Sequence, residues 1–369
     1  MTTQYGDFQQ LYHRHWLLPD FSEDQRQRLS AVRVVVIGAG GLGLPALLTL
    51  AMAGVGTIGI VDGDVVEVTN LHRQWLYTLE DVGQNKALVA EQHLRERNPF
   101  IAYHLHPEFL TPQNAEQILQ GYDCIVDATD SLAARYLIND VAYMLGKPVA
   151  YAAVYQYEGE YGLLNVPLGA QELSPNYRDL YPSLPAASLV PSCREIGVWG
   201  PLPNIVGALQ ATELVKWIAR IGTPLVGAIV RIDLRQQRWE RFQLAKNPEN
   251  PLYQPGWRFD PAQYQPVCCD IPEVGWEDVW NNEGELIDIR EWWERQQCSA
   301  GGRHLPLSQM QWEQIPRDRP VYIYCASGNR SARLVMLLRQ RGWHNVWNVR
   351  GGIAALKWDQ MGENSNDKV

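Results

Sequence analysis

Arg33-Val-Val-Val-Ile37 runs directly into Gly38-Ala-Gly-Gly-Leu-Gly43 and then into the apolar stretch Leu44 to Ala53. An uninterrupted apolar run of this length suits a strand covered on both faces, which in practice means a parallel sheet with helices above and below. The glycines after it allow a sharp turn into a helix, whose first amides point outward and carry partial positive charge. Thr57-Ile-Gly-Ile-Val61 is a second strand, ending at Asp62. The alternation continues with helix at 86–97, strand at 102–105, helix at 112–119, strand at 124–127, helix at 131–145 and strand at 148–155. It predicts an α/β chain built on a Rossmann-like doubly wound sheet.

A glycine turn between a strand and a helix is the setting in which a dinucleotide or nucleotide is held, with Gly38, Gly40, Gly41 and Gly43 admitting phosphate oxygens to the backbone. Asp62, closing the second strand, is placed to accept from a ribose hydroxyl. These features alone fit NAD, FAD or ATP. The next residues favour a triphosphate: Asp62-Gly-Asp64, then Asn70-Leu-His-Arg73-Gln74, then Lys86 put polar and cationic groups just beyond the second strand. Arginine offers planar two-point contacts to phosphate and lysine a compact charge. Asp130, past the strand at 124–127, is a candidate Mg2+ ligand. No Gly-x-x-x-x-Gly-Lys-Ser/Thr occurs, so the chain is not an ordinary P-loop protein.

Taken together, Arg14 with Leu17 and Leu18, Gly38 to Gly43, Asp62-Gly-Asp64, Asn70-Leu-x-Arg73-Gln74, Gly83-x-x-Lys86, Asp127-x-x-Asp130 and Arg135-Tyr-Leu-Ile-Asn-Asp140 resemble the MoeB/ThiF family, the adenylyltransferases ancestral to ubiquitin-activating enzymes. The resemblance implies a domain that binds ATP and Mg2+ and adenylates the C-terminal glycine of a ubiquitin-like sulfur carrier protein ending in Gly-Gly. It assigns the ribose to Asp62, the phosphates to Arg73 and Lys86, and Mg2+ to Asp130. It also sends Arg14 into the site of a neighbouring subunit, and so implies a homodimer. Cys193, in Val190-Pro-Ser-Cys193-Arg194, matches the family's cysteine-bearing loop and is a candidate catalytic thiol, with Arg194 beside it to favour the thiolate.

The chain departs from the family at two places. Many relatives carry two Cys-x-x-Cys pairs around a structural zinc; here Asn176-Tyr-Arg-Asp179 and Asn250-Pro-Leu-Tyr253 stand instead. Structural zinc sites rely on Cys and His, so the expectation is no zinc site, with local packing in its place. Ser131 also stands where an Asn is common.

A second chemistry lies beyond a proline-rich stretch at 247–255. Cys325-Ala-Ser-Gly-Asn-Arg330-Ser331 sits between a strand at 321–324 and a helix at 331–341, where loop amides and a helix N-terminus stabilise a thiolate. Arg330 adds a cation. With Asp288-Ile-Arg-Glu291, His304-Leu-Pro306 and Gly351-Gly-Ile353, this loop resembles the rhodanese active site, which implies a persulfide on Cys325 and a persulfide donor such as a cysteine desulfurase. The expected layout is an adenylating domain at 1–250, a linker at 251–271, a small α/β rhodanese domain at 272–361 and a polar tail at 362–369.

Composition excludes several rivals. The net charge of −9 and a pI near 5.4 speak against nucleic acid as a partner. The six cysteines are too scattered for a disulfide framework. Val34 to Val61 is uncharged and long enough to span a bilayer, but its glycines and Pro45 divide it into strand, turn, helix and strand, so no membrane span is expected. The start lacks a basic segment followed by an apolar one, which makes the cytoplasm the expected location. The expected activity is adenylation of a sulfur carrier followed by sulfur transfer, serving molybdopterin, thiamine or thiolation chemistry. Adenylation of a small molecule or a tRNA is the alternative, and a nicotinamide oxidoreductase, which leaves Arg73, Lys86 and Asp130 idle, is a weaker one.

Overall fold

The computed structural model describes residues 10–169, 172–183, 197–264 and 271–356. These fall into two compact units, one reaching Tyr264 and the other starting at Ile271. The first opens with α1 (residues 10–16) and α2 (Glu23–Ala31), the latter capped by the Ser22 and Gln25 side chains in a reciprocal box. Then come β1 (Arg33–Ile37), α3 (Gly43–Ala53), β2 (Thr57–Val61), α4 (Lys86–Arg97), β3 (Ala102–His106), α5 (Ala115–Gln120), β4 (Cys124–Asp127), α6 (Leu132–Leu145) and β5 (Val149–Tyr155). β6 (Glu158–Leu164), α7 (Tyr177–Leu180), α8 (Pro201–Ala219), β7 (Ala228–Asp233) and β8 (Arg238–Gln243) complete it.

Its single sheet runs β3-β2-β1-β4-β5-β6-β7-β8. The first five strands are parallel, and β6, β7 and β8 are added antiparallel. β1 shows why the continuous apolar run is needed. Val34 and Val36 pack into a core with α3 and α8, while Val35 and Ile37 face a second core with α5 and α6. The chain moves outward from β1 to β3 and then returns to the other side of β1, so the strand order reverses between β1 and β4. In open α/β sheets that reversal is where ligands bind. The doubly wound sheet is therefore present, extended by an antiparallel wing that the sequence pattern under-reads. β6, Glu-Gly-Glu-Tyr-Gly-Leu-Leu, mixes charge and glycine, and β8 is a largely exposed edge strand without an apolar alternation.

α8 fits against the glycine turn and α3 through Gly207. A Cβ on Gly207 would overlap the Leu42 carbonyl oxygen and stand 2.8 Å from Pro45 Cγ. Pro201 opens this helix four residues earlier than the apolar spacing from Ile205 indicates, in the first turn where a missing N–H costs nothing. α5 starts later than expected, at Ala115 rather than Pro112, because the Asn114 side chain accepts from the Thr111 amide (2.7 Å) and holds that stretch as a turn.

The second unit comprises β9 (Glu273–Val274), α9 (Trp276–Asn281), β10 (Glu285–Asp288), α10 (Trp292–Gln297), β11 (Arg303–His304), β12 (Val321–Tyr324), α11 (Asn329–Gln340) and β13 (Val346–Val349). Its five strands, all parallel, run β11-β10-β12-β13-β9. Val321, Ile323 and Cys325 share a core with α11, and Tyr322 and Tyr324 share one with α9. Among the described residues no helix is long and apolar enough to cross a membrane.

Gly207→Ala is expected to lower stability by about 1–3 kcal/mol through overpacking against the glycine turn. Chemical denaturation followed by tryptophan fluorescence measures it; an unchanged midpoint would show that α8 can move off α3.

Candidate functional site

The glycine turn is held by approaches that leave no room for side chains. Gly38 has φ +99°, and a Cβ there would stand 2.8 Å from the Ala128 carbonyl oxygen, just past β4. A Cβ on Gly43 would overlap the Gly38 carbonyl oxygen. No side chain caps α3; the Leu44 amide turns back to the Gly40 carbonyl (2.9 Å) and Pro45 has no N–H, so an incoming anion meets the amides of the glycine turn and of Gly43 rather than those further into the helix.

Asp62 sits beneath this turn. Its carboxylate accepts from the Ala39 amide (2.7 Å) and the Asp64 amide (2.8 Å). Burial raises the Asp62 carboxyl above its ordinary range, against the pull of those two amides and of Lys86. Lys86, the buried first residue of α4, pairs with Asp64 at 2.7 Å. Arg73 donates to the Asn70 side chain (2.7 Å) and the Thr69 carbonyl (3.2 Å), and its Cγ lies 3.6 Å from the Cβ position of Gly41. Gln74 Nε2 stands equally close to that of Gly40. Buried Gln74 also keeps a side-chain oxygen with no hydrogen-bond partner. Gly38, Gly40, Gly41, Gly43, Asp62, Asp64, Asn70, Arg73, Gln74 and Lys86 are thus brought together at the end of β1.

Asp130 is exposed on the loop after β4, two residues beyond the Ala128 carbonyl that touches Gly38. Among the described residues no group of three His, Cys, Asp or Glu side chains surrounds it. Mg2+ is commonly held by one or two carboxylates together with phosphate oxygens and water, so a lone carboxylate in this position fits it. Arg14 does not join the cluster of its own chain. It is exposed on α1, and α1 packs through Tyr12 against Gly54 and Asn98, at the C-terminal end of α3 and one helix length from the turn.

Sequence reasoning assigns no role to the supports. Tyr77 donates to the carbonyls of both Ala39 and Lys86 (2.9 Å each), tying the turn to α4. Arg135 is buried against Asp127 (3.0 Å) and donates to the Thr129 and Ala152 carbonyls, fixing the loop that carries Asp130. Asn204 of α8 donates to the Arg73 carbonyl at 2.9 Å.

At the positions where a zinc cage is common, the four side chains bond to one another. Tyr253 donates to Asp179 (2.7 Å), Asn250 to both Asp179 (3.0 Å) and Asn176 (3.2 Å), and Asn176 to Tyr253 (3.2 Å). The amides of Asn176 and Asn247 supply the remaining bonds to Asp179. Backbone amides also occupy the side-chain oxygens of Asn176 and Asn250. A donor set of two amides, a carboxylate and a phenol, saturated in this way, does not fit structural zinc. Next to it, Arg178 makes a two-point ion pair with fully buried Asp140, which also accepts from Tyr264.

In the second unit Cys325 is buried at the end of β12. Its sulfur accepts from the Gly328 amide (3.2 Å) and the Ser331 hydroxyl (3.4 Å). Gly328 has φ +86°, the left-handed region that lets the loop fold its amide back onto the sulfur. Arg330 lies beside Cys325 and gives both terminal nitrogens to Glu294 of α10, at 2.8 and 2.5 Å. Burial raises the Glu294 carboxyl, but hydrogen bonds from Arg330 and the Glu291 amide outweigh it and leave the group below the usual range. Cys124 is buried in the first sheet and Cys298 is exposed; Cys193, Cys268 and Cys269 lie outside the described residues.

Residues 12–252 match the model of the ThiF family, and residues 275–358 that of the rhodanese-like domain. The sulfur carrier protein adenylyltransferase of Thermus thermophilus is 45% identical over 241 residues, 65% of this chain and 89% of the relative. A Mycobacterium tuberculosis protein named "Probable adenylyltransferase/sulfurtransferase MoeZ" is 36% identical over 366 residues, covering 93% of this chain and 91% of its own. Among solved structures, E. coli MccB with AMPCPP and MccA superposes with a TM-score of 0.59 at 23% identity, over 66% of this chain and 73% of that one, a likeness of fold.

Tyr253→Phe removes one of the four hydrogen bonds on Asp179. It is expected to cost about 1.5–3 kcal/mol, the range for a bond to a charged group, read as a lower thermal midpoint.

Proposed function

The chain is a member of the ThiF family with a rhodanese-like domain following it, and on that footing we propose that it activates a sulfur carrier in two chemical stages. It is an adenylyltransferase with sulfurtransferase activity. The observation that carries the reading is the Cys325 loop, a sulfur held by an amide and a hydroxyl at a strand end, in one chain with a nucleotide-type glycine turn.

In the first stage ATP lies on the turn, with its ribose on Asp62 and its phosphates against the amides of the glycine turn, Arg73 and Lys86. The C-terminal carboxylate of a ubiquitin-like carrier ending in Gly-Gly attacks the α-phosphorus. The bond from that phosphorus to the bridging oxygen breaks, and pyrophosphate leaves with the electron pair. The cations stabilise charge on the phosphates, so positioning and electrostatics suffice without a protein nucleophile. Lys86 is paired with Asp64 beforehand, which holds it in place until phosphate competes for it. Mg2+, held by Asp130, would supply further charge neutralisation. Arg14, turned away from its own turn, acts on the site of a second subunit in a homodimer.

In the second stage Cys325 takes a sulfane sulfur from a persulfide donor such as a cysteine desulfurase. The terminal sulfur of that persulfide attacks the acyl carbon; the carbon–oxygen bond to phosphate breaks and AMP leaves. An acyl disulfide then joins the carrier to Cys325. A second thiolate, assigned to Cys193, attacks the Cys325 sulfur and releases the carrier thiocarboxylate. The Cys193–Cys325 disulfide left behind takes two electrons from a dithiol reductant. The adenylating domain works without structural zinc, and the reactions belong to the cytoplasm.

Cys325→Ala is expected to abolish thiocarboxylate formation, read by carrier mass, while carrier-dependent ATP–pyrophosphate exchange continues. Loss of exchange as well would overturn the division of labour. Lys86→Ala is expected to reduce exchange by at least tenfold, the worth of one charged contact of about 1.4 kcal/mol.

A further inference from the structure

Glu294 is the one carboxylate seen to grip the cation of the Cys325 loop among the described residues. We infer that Glu294 is a positioning residue of this site: it fixes the Arg330 guanidinium and takes up part of its positive charge, so that Arg330 orients the sulfur anion without quenching its nucleophilicity. The inference rests on reading Cys325 as the sulfur carrier.

The geometry suits that role. Glu294 meets both terminal nitrogens of Arg330, the two-point arrangement that leaves a guanidinium little freedom. The carboxylate is itself anchored, since its other contact is the Glu291 amide at 2.9 Å in the first turn of α10. Arg330 and Glu294 side chains are only 19% and 14% exposed, so solvent screens their charges weakly. Other charges on the neighbouring elements are engaged elsewhere. Asp288 of β10 pairs with Arg290 (2.8 Å) and accepts from Tyr324, Arg339 of α11 donates to the Val346 carbonyl, and Arg350 beyond β13 pairs with Glu273. Arg333 comes after Arg330 along α11, with an interaction of its own.

Thiolate chemistry gives this pairing its consequence. A bare guanidinium beside a sulfur anion favours the ionised form, but lowering a thiol's pKa also lowers the attacking power of its anion, with a Brønsted slope of about 0.4–0.5. A persulfide that must attack an acyl carbon needs the charge orientation without the full loss of reactivity. A purely mechanical strap between α10 and α11 would predict a change in stability alone.

The test uses the full chain. The rate of iodoacetamide alkylation at Cys325, read by peptide mass spectrometry, is followed across the thiol titration range in wild type, E294Q, R330A and the R330A/E294Q double variant. In E294Q the midpoint is expected to fall by about half to one pH unit and the high-pH plateau rate by about two- to threefold. In the R330A background E294Q is expected to change neither. An unchanged midpoint in E294Q, or an equal shift without Arg330, would overturn the inference. E294D keeps the charge and is expected to hold the wild-type midpoint; a shift as large as that of E294Q would assign the effect to packing and sink the idea. Loading Cys325 with a persulfide donor and weighing the protein tests the sulfur-carrier reading separately.

Discussion

Backbone meets backbone at the end of β1 more closely than any side chain permits. The Gly43 position closes on the Gly38 carbonyl, Gly38 on the Ala128 carbonyl, and Gly207 of α8 on Leu42. These approaches do more than make a turn. They put the uncapped start of α3 at the point where the sheet reverses direction, and they bring the loop after β4 to the same spot. Asp62 then anchors the turn from below through Ala39, and Tyr77 links it to the start of α4. Remove the glycine contacts and Asp62, the Arg73 and Lys86 cations and the Asp130 loop lose their common frame.

The second unit solves a smaller version of the same problem. A parallel strand ends, a glycine takes positive φ, and a helix begins, so that the Gly328 amide and the Ser331 hydroxyl close on the Cys325 sulfur. In the first unit the glycine turn is framed by Asp62, Arg73 and Lys86. In the second it is closed down on one sulfur atom, with a Cβ on Gly328 standing 2.8 Å from the Gly351 amide. Both units thus build a glycine-shaped turn between a parallel strand and a helix, one among polar and cationic side chains and the other around a sulfur.

The features legible from residues alone divide along physical lines. β1, β2 and β4 lie where continuous apolar runs put them, because burial on both faces leaves no other pattern. β6 and β8 are invisible to that logic, since an antiparallel wing with one exposed edge needs no such run. The glycines and Asp62 stand out by their spacing along one βαβ unit, Arg73 and Lys86 by following it closely, and they meet in space. Glu294 does not stand out, because its partner is 36 residues away and only the ion pair itself joins the start of α10 to the start of α11. Arg14 stands out only through the family resemblance, and the structure places it exposed on α1, which packs at the far end of α3 from the turn. The exchange of four cysteine positions is plain in the sequence. That their replacements bond to one another is not, because Asn, Asp and Tyr carry no signature of mutual pairing.

That ring of Asn176, Asp179, Asn250 and Tyr253 bears on what the protein can withstand. Zinc thiolates are soft nucleophiles, open to the same sulfane sulfur and disulfides that a sulfur-handling enzyme generates, and each attack would loosen the loops they join. Carboxamides, a carboxylate and a phenol are inert to those reagents. The cross-link before α7 and after β8 is thereby immune to the enzyme's own intermediates, and its integrity is uncoupled from the metal supply and the redox state of the cell.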